Sequence, residues 1–317
     1  MTKKVMILAG GGGHTGYARI LAQELHGQAE LSFLAPDDDP VSISILEPYG
    51  TIETLIKPRH PTTPSWKFIF RLTKAFGQSK KLIPRDLNAV VSTGSNFCVP
   101  PALTGWTRGI PIVSLESRVK FTKPSRTASL LQRFAAITAL QWEEQSSILK
   151  GTVFGPLLPR RTFEPWNGGY TLVAGGTYGY KALFDAVSES CLEKVVLQTG
   201  RLDGREYKER HPGWRVISFS ERFEELLAGA EVVVSPPGGT PVEAVVYGKP
   251  VVIVRYPEWT KAASLDDTRI FSEKLDATLL LTLSPMALMD ALENAKKREA
   301  PKLMDGTKHL SKAILSL

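Results

Sequence analysis

Val5-Met-Ile-Leu-Ala-Gly-Gly-Gly-Gly-His-Thr-Gly16 decides how the chain begins and, through later stretches of the same type, how the rest of it folds. The apolar run 5–9 has the length of a buried strand, and the glycines after it predict a sharp turn into a helix. Backbone N–H groups in such a turn can approach an anion closely, and the helix N-terminus adds a favourable field. His14 puts a titratable imidazole where that anion would arrive, able to exchange a proton near neutral pH. Two other readings of the loop stay open. Gly11, Gly13 and Gly16 also satisfy the dinucleotide fingerprint G-x-G-x-x-G, with Asp37 near the end of the next strand where a ribose-binding acid belongs. His14 could also be a structural histidine.

Outward from this loop, short apolar runs alternate with longer helical stretches, the pattern of βα units and parallel sheets. Strands are expected near 5–9, 31–35, 52–56, 89–92, 112–115 and 137–140. Gly155-Pro-Leu-Leu-Pro-Arg-Arg-Thr-Phe-Glu-Pro-Trp-Asn-Gly-Gly169 then has the composition of a linker. The pattern restarts with strands near 170–174, 195–198, 216–219, 232–235, 251–254 and 278–281. At 317 residues the chain suits two domains. The expected division is a first domain over 1–155, a linker over 156–169 and a second domain over 170–317, whose last helix could pack back on the first. Two doubly wound α/β domains would place ligands at the carboxyl ends of their strands, in a cleft between the domains.

Composition narrows the class. No apolar run reaches about 18 residues, so no membrane span is expected. The N-terminus carries no secretory pattern and the two cysteines, Cys98 and Cys191, suggest neither a disulfide framework nor a zinc site, so a cytoplasmic chain is expected. The net charge of +7 is compatible with nucleotide phosphates, anionic lipid or nucleic acid, and no nucleic-acid motif accompanies it. Asp37-Asp-Asp39 reads as an acidic turn before Pro40 rather than a metal site, since no second ligand cluster supports it.

Three further strand-to-helix junctions are rich in glycine and small polar residues: Thr93-Gly-Ser-Asn96, Gly175-Gly-Thr-Tyr-Gly179 and Pro236-Pro-Gly-Gly-Thr240. In the second half, Gly175, Gly176 and Thr177 can offer N–H groups and a hydroxyl to a diphosphate. Glu243, about one turn into the helix after Pro236-Pro237, can accept both hydroxyls of a ribose or can simply complement the helix dipole. Asp266 and Asp267 can bind hexose hydroxyls or cap a helix. Arg201, after Gln198-Thr-Gly200, can pair with a phosphate or with solvent. In the first half, Glu116 ends the strand 112–115 and is expected to open onto the same cleft as His14, as its orienting carboxylate or as a base in its own right; otherwise it is a surface acid paired with Arg118.

Residues 66–81 predict an amphipathic helix. Trp66, Phe68, Ile69, Phe70, Leu72 and Phe76 cover one arc, while Lys67, Arg71 and Lys74 gather on the other. The apolar arc is either an ordinary core face or a surface that docks on an anionic membrane, where each nearby cation contributes roughly 1 kcal/mol.

These residues also carry a resemblance. Gly-Gly-Gly-His-Thr-Gly at 11–16, Ser92-Thr-Gly-Ser-Asn-Phe-Cys-Val-Pro-Pro101 and Leu115-Glu-Ser-Arg-Val119 resemble the membrane-associated, acceptor-binding subunit of the eukaryotic enzyme that adds the second N-acetylglucosamine to dolichyl-diphosphate-N-acetylglucosamine. Ala230-Glu-Val-Val-Val-Ser235, with Pro-Pro-Gly-Gly-Thr-Pro-Val-Glu243 and Tyr247-Gly-Lys-Pro-Val-Val252, resembles that enzyme's donor-binding catalytic subunit and is similar to the bacterial peptidoglycan N-acetylglucosaminyltransferase. The chain looks like a fusion of the two, acceptor part first. Pro236-Pro237 and Asp266-Asp267 depart from the donor pattern, and the acceptor subunit's N-terminal membrane anchor has no counterpart.

The resemblance implies a GT-B fold of two Rossmann-like domains and an inverting, metal-independent glycosyltransferase without cofactor. It would move N-acetylglucosamine from UDP-N-acetylglucosamine to a polyprenyl- or dolichyl-diphosphate-linked sugar at the inner face of the cell membrane. It implies His14 or Glu116 as the base, and acceptor contacts at Gly12, Gly13, Thr15, Gly94, Ser95, Asn96 and Arg118. It also implies donor contacts at Gly175, Gly176, Thr177, Tyr178, Gln198, Arg201, Gly238, Gly239, Thr240, Glu243, Asp266 and Asp267, with uracil read by backbone near Phe219 and Ser220. Membrane attachment would rest on Trp66, Phe70 and Phe76 with Lys67, Arg71 and Lys74. The alternatives are an NAD(P)-dependent oxidoreductase using the first loop and a non-catalytic nucleotide-sugar-binding protein.

Overall fold

Runs such as Val5-Met-Ile-Leu8 are apolar on both faces, so they are stable only as central parallel strands covered by helices on either side. The computed structural model describes residues 2–60, 63–259 and 262–317, and shows that arrangement twice. The chain forms two compact units, residues 1–157 with 304–317, and residues 158–303.

In the first unit the order is β1 (Lys3–Leu8), α1 (Gly13–Leu25), β2 (Ala29–Pro36), α2 (Pro40–Leu46), β3 (Thr51–Leu55), α3 (Ser65–Leu82), β4 (Ala89–Ser92), α4 (Val99–Thr107), β5 (Ile112–Leu115), α5 (Arg126–Leu131), β6 (Ile137–Leu140) and β7 (Thr152–Val153). Among the described residues these strands make one seven-stranded parallel sheet, ordered β3-β2-β1-β4-β5-β6-β7. The strand order reverses between β1 and β4, which sets the crevice at the carboxyl ends of those two strands. Alternate residues of β1 point to opposite faces: Val5 and Ile7 pack under α1, Met6 and Leu8 against Phe97, Cys98 and Ala102.

The second unit runs β8 (Tyr170–Ala174), α6 (Lys181–Ser188), β9 (Val195–Gln198), α7 (Arg205–Arg210), β10 (Arg215–Ile217), α8 (Phe223–Gly229), β11 (Ala230–Ser235), α9 (Gly239–Val246), β12 (Val251–Val254), α10 (Leu265–Lys274), β13 (Thr278–Leu280) and α11 (Pro285–Lys296). Its described strands form a six-stranded parallel sheet, β10-β9-β8-β11-β12-β13, reversing between β8 and β11.

One boundary differs from the sequence reading, and the expected return of the last helix is seen. Residues 158–169 run along the second unit: the Trp166 and Gly168 N–H groups donate to the carbonyls of Ala228 and Gly229, at 2.9 and 2.8 Å. Composition marked the stretch as a linker because proline and glycine exclude regular structure, yet they do not exclude packing. The last helix, α12 (Thr307–Leu315), belongs to the first unit, burying Leu310 and Ile314 against the α1 side of its sheet. The two-residue strand β7 carries too short an apolar signal to be read in advance.

Truncating a fully buried leucine in this core costs about 2–5 kcal/mol. Leu310→Ala is therefore expected to lower the stability of the first unit by that amount, measured by denaturant unfolding, despite lying near the end of the chain.

Candidate active site

The two turns at the β1/β4 reversal are built against each other. Gly10 lies where an added Cβ would sit 2.7 Å from both the Gly94 carbonyl oxygen and Ser95 Cβ. Gly94, at φ 103°, lies where a Cβ would meet the His14 ring at 2.8 Å. Ser95 holds φ 75°, a left-handed conformation that costs a non-glycine residue about 1–3 kcal/mol and marks a locally over-determined segment.

This contact orients His14. Its Nδ1 lies 2.7 Å from the Thr93 carbonyl oxygen. A carbonyl only accepts, so Nδ1 carries the proton, and in the neutral ring the lone pair is on Nε2. Burial, reinforced by the Lys57 ammonium, pushes the His14 pKa below the ordinary imidazole value, with the Thr93 bond opposing the shift only in part. A neutral imidazole at the mouth of a switch-point crevice has the form that a general base requires.

Glu116 is bonded elsewhere. The side chain is fully buried; Oε1 accepts the Ser117 N–H at 2.6 Å and Oε2 accepts the Ser125 N–H at 2.8 Å. Burial raises its pKa, the two amides oppose this, and the carboxylate serves to close the 116–125 loop. Both oxygens are thus engaged by the chain's own amides, and no hydrogen bond to His14 is among them. Arg118 is not its partner either: the guanidinium stacks 4.4 Å from the Tyr17 ring centre, with Nε donating to the Tyr17 hydroxyl at 3.2 Å. Arg118 Nη1 is buried with no hydrogen-bond partner.

Two further first-unit residues are structural. Thr15 is buried, its hydroxyl 2.5 Å from Ser42 Oγ, which donates to Asp39 Oδ2 at 2.7 Å; this chain ties α1 to the head of α2. Asn96 is half-buried and exchanges hydrogen bonds with the backbone of Arg59, at 2.9 and 3.2 Å. Gly12 is the N-cap of α1, and a Cβ at Gly13 would meet nothing within 4 Å, so the helix N-terminus has room before it. The sequence reading missed Lys57, whose ammonium donates to the Gly10 carbonyl at 2.9 Å. No motif distinguishes it from other lysines, and its role follows from β3 ending two strands from His14.

The helix α3 exposes Trp66 (69%), Ile69 (62%) and Phe70 (68%) and buries only Ala75 and Ser79. Phe76 is half-buried. Lys67 and Lys74 are exposed beside the apolar stripe rather than opposite it, because each lies three or four residues from Phe70 on the helix. Arg71 is corrected from a membrane-facing cation to an internal one: its Nε donates to the Lys57 carbonyl at 2.9 Å and Nη2 lies 3.3 Å from His60 Nε2.

In the second unit, Gly200, at φ 62°, presses its backbone on the 175–179 turn, where a Cβ would lie 2.3 Å from the Gly176 carbonyl oxygen. The Arg201 N–H donates to the Thr177 carbonyl at 3.0 Å and its guanidinium lies 5.4 Å from the Tyr178 ring centre. Gly238 caps α9, followed by Gly239 and Thr240 in the first turn, and Glu243 Oε1 lies over that turn. Phe219 and Ser220 follow β10, with Phe219 exposed. Gln198 is buried and donates to the Ser218 carbonyl at 2.7 Å, which makes it a brace between strands. Asp267 is corrected to a helix cap: it is buried and reciprocates with Ser264 in a capping box at 3.0 Å each way. Asp266 is exposed and pairs with Arg269 at 3.3 Å. The capping reading holds because the acids fall in the first turn of α10, where N–H groups lack helical partners. Among the described residues no group of three or more His, Cys, Asp or Glu side chains is placed to hold a metal ion.

Two doubly wound parallel sheets, each with its glycine-rich turns at the strand-order reversal, define the GT-B glycosyltransferase fold. In agreement, the chain matches the crystal structure of Acinetobacter baumannii MurG with TM-score 0.64 at 19% identity, covering 99% of this chain and all of that one. It also matches a putative UDP-N-acetylglucosamine 2-epimerase of Listeria monocytogenes with TM-score 0.66 at 15% identity, covering 99% and 95%. By sequence it is 29% identical over 237 residues to the UDP-N-acetylglucosamine–N-acetylmuramyl-(pentapeptide) pyrophosphoryl-undecaprenol N-acetylglucosamine transferase of Synechococcus elongatus, a match spanning 69% of this chain and 65% of that protein. The transferase of the same name from Synechocystis is 24% identical over 320 residues, spanning 93% and 88%. No family model matches.

Gly94→Ala tests the built contact. It is expected to destabilise the first unit by about 1–3 kcal/mol and to break the His14 to Thr93 hydrogen bond, seen as loss of the protected Nδ1 proton resonance in NMR.

Proposed function

We propose that the chain is an inverting glycosyltransferase that moves N-acetylglucosamine from UDP-N-acetylglucosamine to a polyprenyl-diphosphate-linked sugar. The observation that carries the reading is His14, whose Nδ1 is committed to Thr93 and whose Nε2 is left as the basic atom at the first unit's switch point. The named relatives, transferases of N-acetylglucosamine onto a lipid pyrophosphate-linked acceptor, favour it over a dinucleotide-dependent oxidoreductase.

In this reading the acceptor hydroxyl attacks the anomeric carbon of the donor sugar as UDP departs, and its proton passes to His14 Nε2. Base catalysis of this kind supplies about 10²–10⁴ in rate. Attack opposite the leaving group inverts the centre and makes a β-linked product. The acceptor diphosphate lies at the N-terminus of α1, near Gly12, Gly13, Gly94 and Ser95. The departing diphosphate is stabilised by N–H groups of the 175–179 turn and the first turn of α9, dipoles aimed at charge that grows in the transition state. Glu243 holds the ribose, and backbone beside Phe219 and Ser220 reads uracil. No step in this scheme calls on a metal.

The acceptor is proposed to be dolichyl- or another polyprenyl-diphosphate-linked N-acetylglucosamine, on the strength of the 92–101 and 115–119 motifs. The protein would work at the cytoplasmic face of the membrane, held by the exposed stripe of α3 with Lys67 and Lys74. No helix among the described residues is long and apolar enough to cross a bilayer.

Purified protein given radiolabelled UDP-N-acetylglucosamine and a synthetic N-acetylglucosaminyl-diphosphate-lipid, with EDTA present, is expected to make a lipid-linked disaccharide. His14→Ala is expected to lose about 10²–10⁴ of that rate. Product only with a muramyl-pentapeptide acceptor would move the activity to peptidoglycan synthesis, and no product with either would sink the assignment. Trp66, Ile69 and Phe70 replaced together by serine are expected to release the protein from anionic vesicles in flotation without lowering its melting temperature. A lowered melting temperature would make the stripe a packing face.

A further inference from the structure

Lys57 stands at the centre of a relay into the glycine turn. Its ammonium donates to the Gly10 carbonyl at 2.9 Å, and a Cβ on Gly11 would lie 3.1 Å from the ammonium and 3.0 Å from Asp39 Oδ2. Gly11, at φ 84°, lies between a cation and a carboxylate, so a side chain there would be strained and would push both aside. Behind Lys57, Arg71 of α3 donates to the Lys57 carbonyl and fixes the turn from which the lysine reaches. Gly10 in turn packs on Gly94 and Ser95, the segment whose Thr93 carbonyl orients the imidazole.

We propose that Lys57 is a positioning residue for the base: it clamps the Gly10 carbonyl, seats the turn that carries His14, and leaves Nε2 of the ring as the atom that takes the proton. The inference rests on the reading of His14 as base and deepens it. The charge of Lys57 acts in the same direction as its geometry, since a neighbouring cation disfavours imidazolium. The other groups around His14 do not replace it. The β4 turn presents only Thr93, Gly94 and Ser95, which are uncharged. Arg118, beyond β5, is stacked on Tyr17, whose ring centre lies 6.2 Å from that of His14. Asp39 at the head of α2 is bonded to Ser42 Oγ. Lys57 acts through the turn and through His14 rather than on the substrate.

The sign of the effect is definite. His14 works as a base only when neutral, so activity rises with pH through its pKa. Removing the cation raises that pKa and moves the acid limb of kcat/KM to higher pH, so the loss is largest in acid and smallest in alkali.

The experiment compares the full chain with Lys57→Met and Lys57→Arg, each first shown to be folded by its circular dichroism and melting profile. The His14 ring is titrated by NMR without substrate, and transfer is then measured against pH. Lys57→Met is expected to titrate His14 at higher pH, to shift the Gly10 and Gly11 amide resonances, and to displace the acid limb upward; Lys57→Arg restores all three. Misplacement of the base by about 1 Å allows a rate loss of up to about 10²-fold that alkali does not fully recover. An unchanged His14 titration in folded Lys57→Met overturns the proposal, as does an unmoved acid limb in an active enzyme. Should wild-type protein transfer no sugar while the titration and amide shifts behave as expected, the glycosyltransferase reading fails and the clamp stands. If Lys57→Met does not fold, Lys57→Gln carries the same titration with a neutral donor still able to reach Gly10.

Discussion

Backbone-to-backbone contact between the turns after β1 and β4 is the constraint on which the first unit's chemistry depends. Gly10 and Gly94 let the two turns approach to distances that any Cβ would forbid. Only at that separation does the Thr93 carbonyl reach His14 Nδ1 and decide which ring nitrogen is basic. The strain at Ser95 is tolerated because its neighbours are packed from both sides: Cys98 behind it donates to the Gly94 carbonyl at 2.7 Å, and burial pushes that thiol up to about 12. The cysteine is a packing residue and a weak donor, not a nucleophile.

The second unit uses the same physical device for a different end. Its glycine turn is pressed by Gly200 from the neighbouring β9 turn, and Tyr180 stacks on Tyr256 at 3.9 Å while each hydroxyl caps a carbonyl of the other's segment. The turn is thereby held rigid with its N–H groups and the first turn of α9 at the sheet's carboxyl edge. In the proposed reaction the first unit would present a base and the second an electrostatic sink. Transfer of a glycosyl group needs both, since proton removal and leaving-group departure are separate demands on one transition state.

Most strand cores were legible because buried parallel strands are continuous apolar runs; 89–92, 112–115, 137–140, 170–174, 195–198 and 251–254 coincide with β4, β5, β6, β8, β9 and β12. The place of His14, in the glycine turn after β1, was legible from local sequence, while the partner of its Nδ1 was not. Glu116 and Asp267 stayed ambiguous for one reason: an acid at a strand end or helix start looks alike in sequence whether its lone pairs face a ligand or the chain's own amides. Both turned inward, to unpartnered N–H groups a few residues away. Lys57 and Arg71 were illegible as a pair because their contact joins a turn to a helix 14 residues on, and only the packing of α3 on the sheet brings them together.

The sequence by itself determined the architecture: two repeats of strand, glycine turn and helix, with a histidine in the first turn. Periodicity and turn chemistry are local properties, written in residues that lie within a few positions of each other. Tertiary structure alone decided protonation geometry, the inward role of Glu116 and the exposure of the α3 stripe. The first two depend on which backbone groups each side chain finds once the sheet is assembled, the third on which helix face the sheet covers, and both are settled by contacts between segments rather than by local sequence.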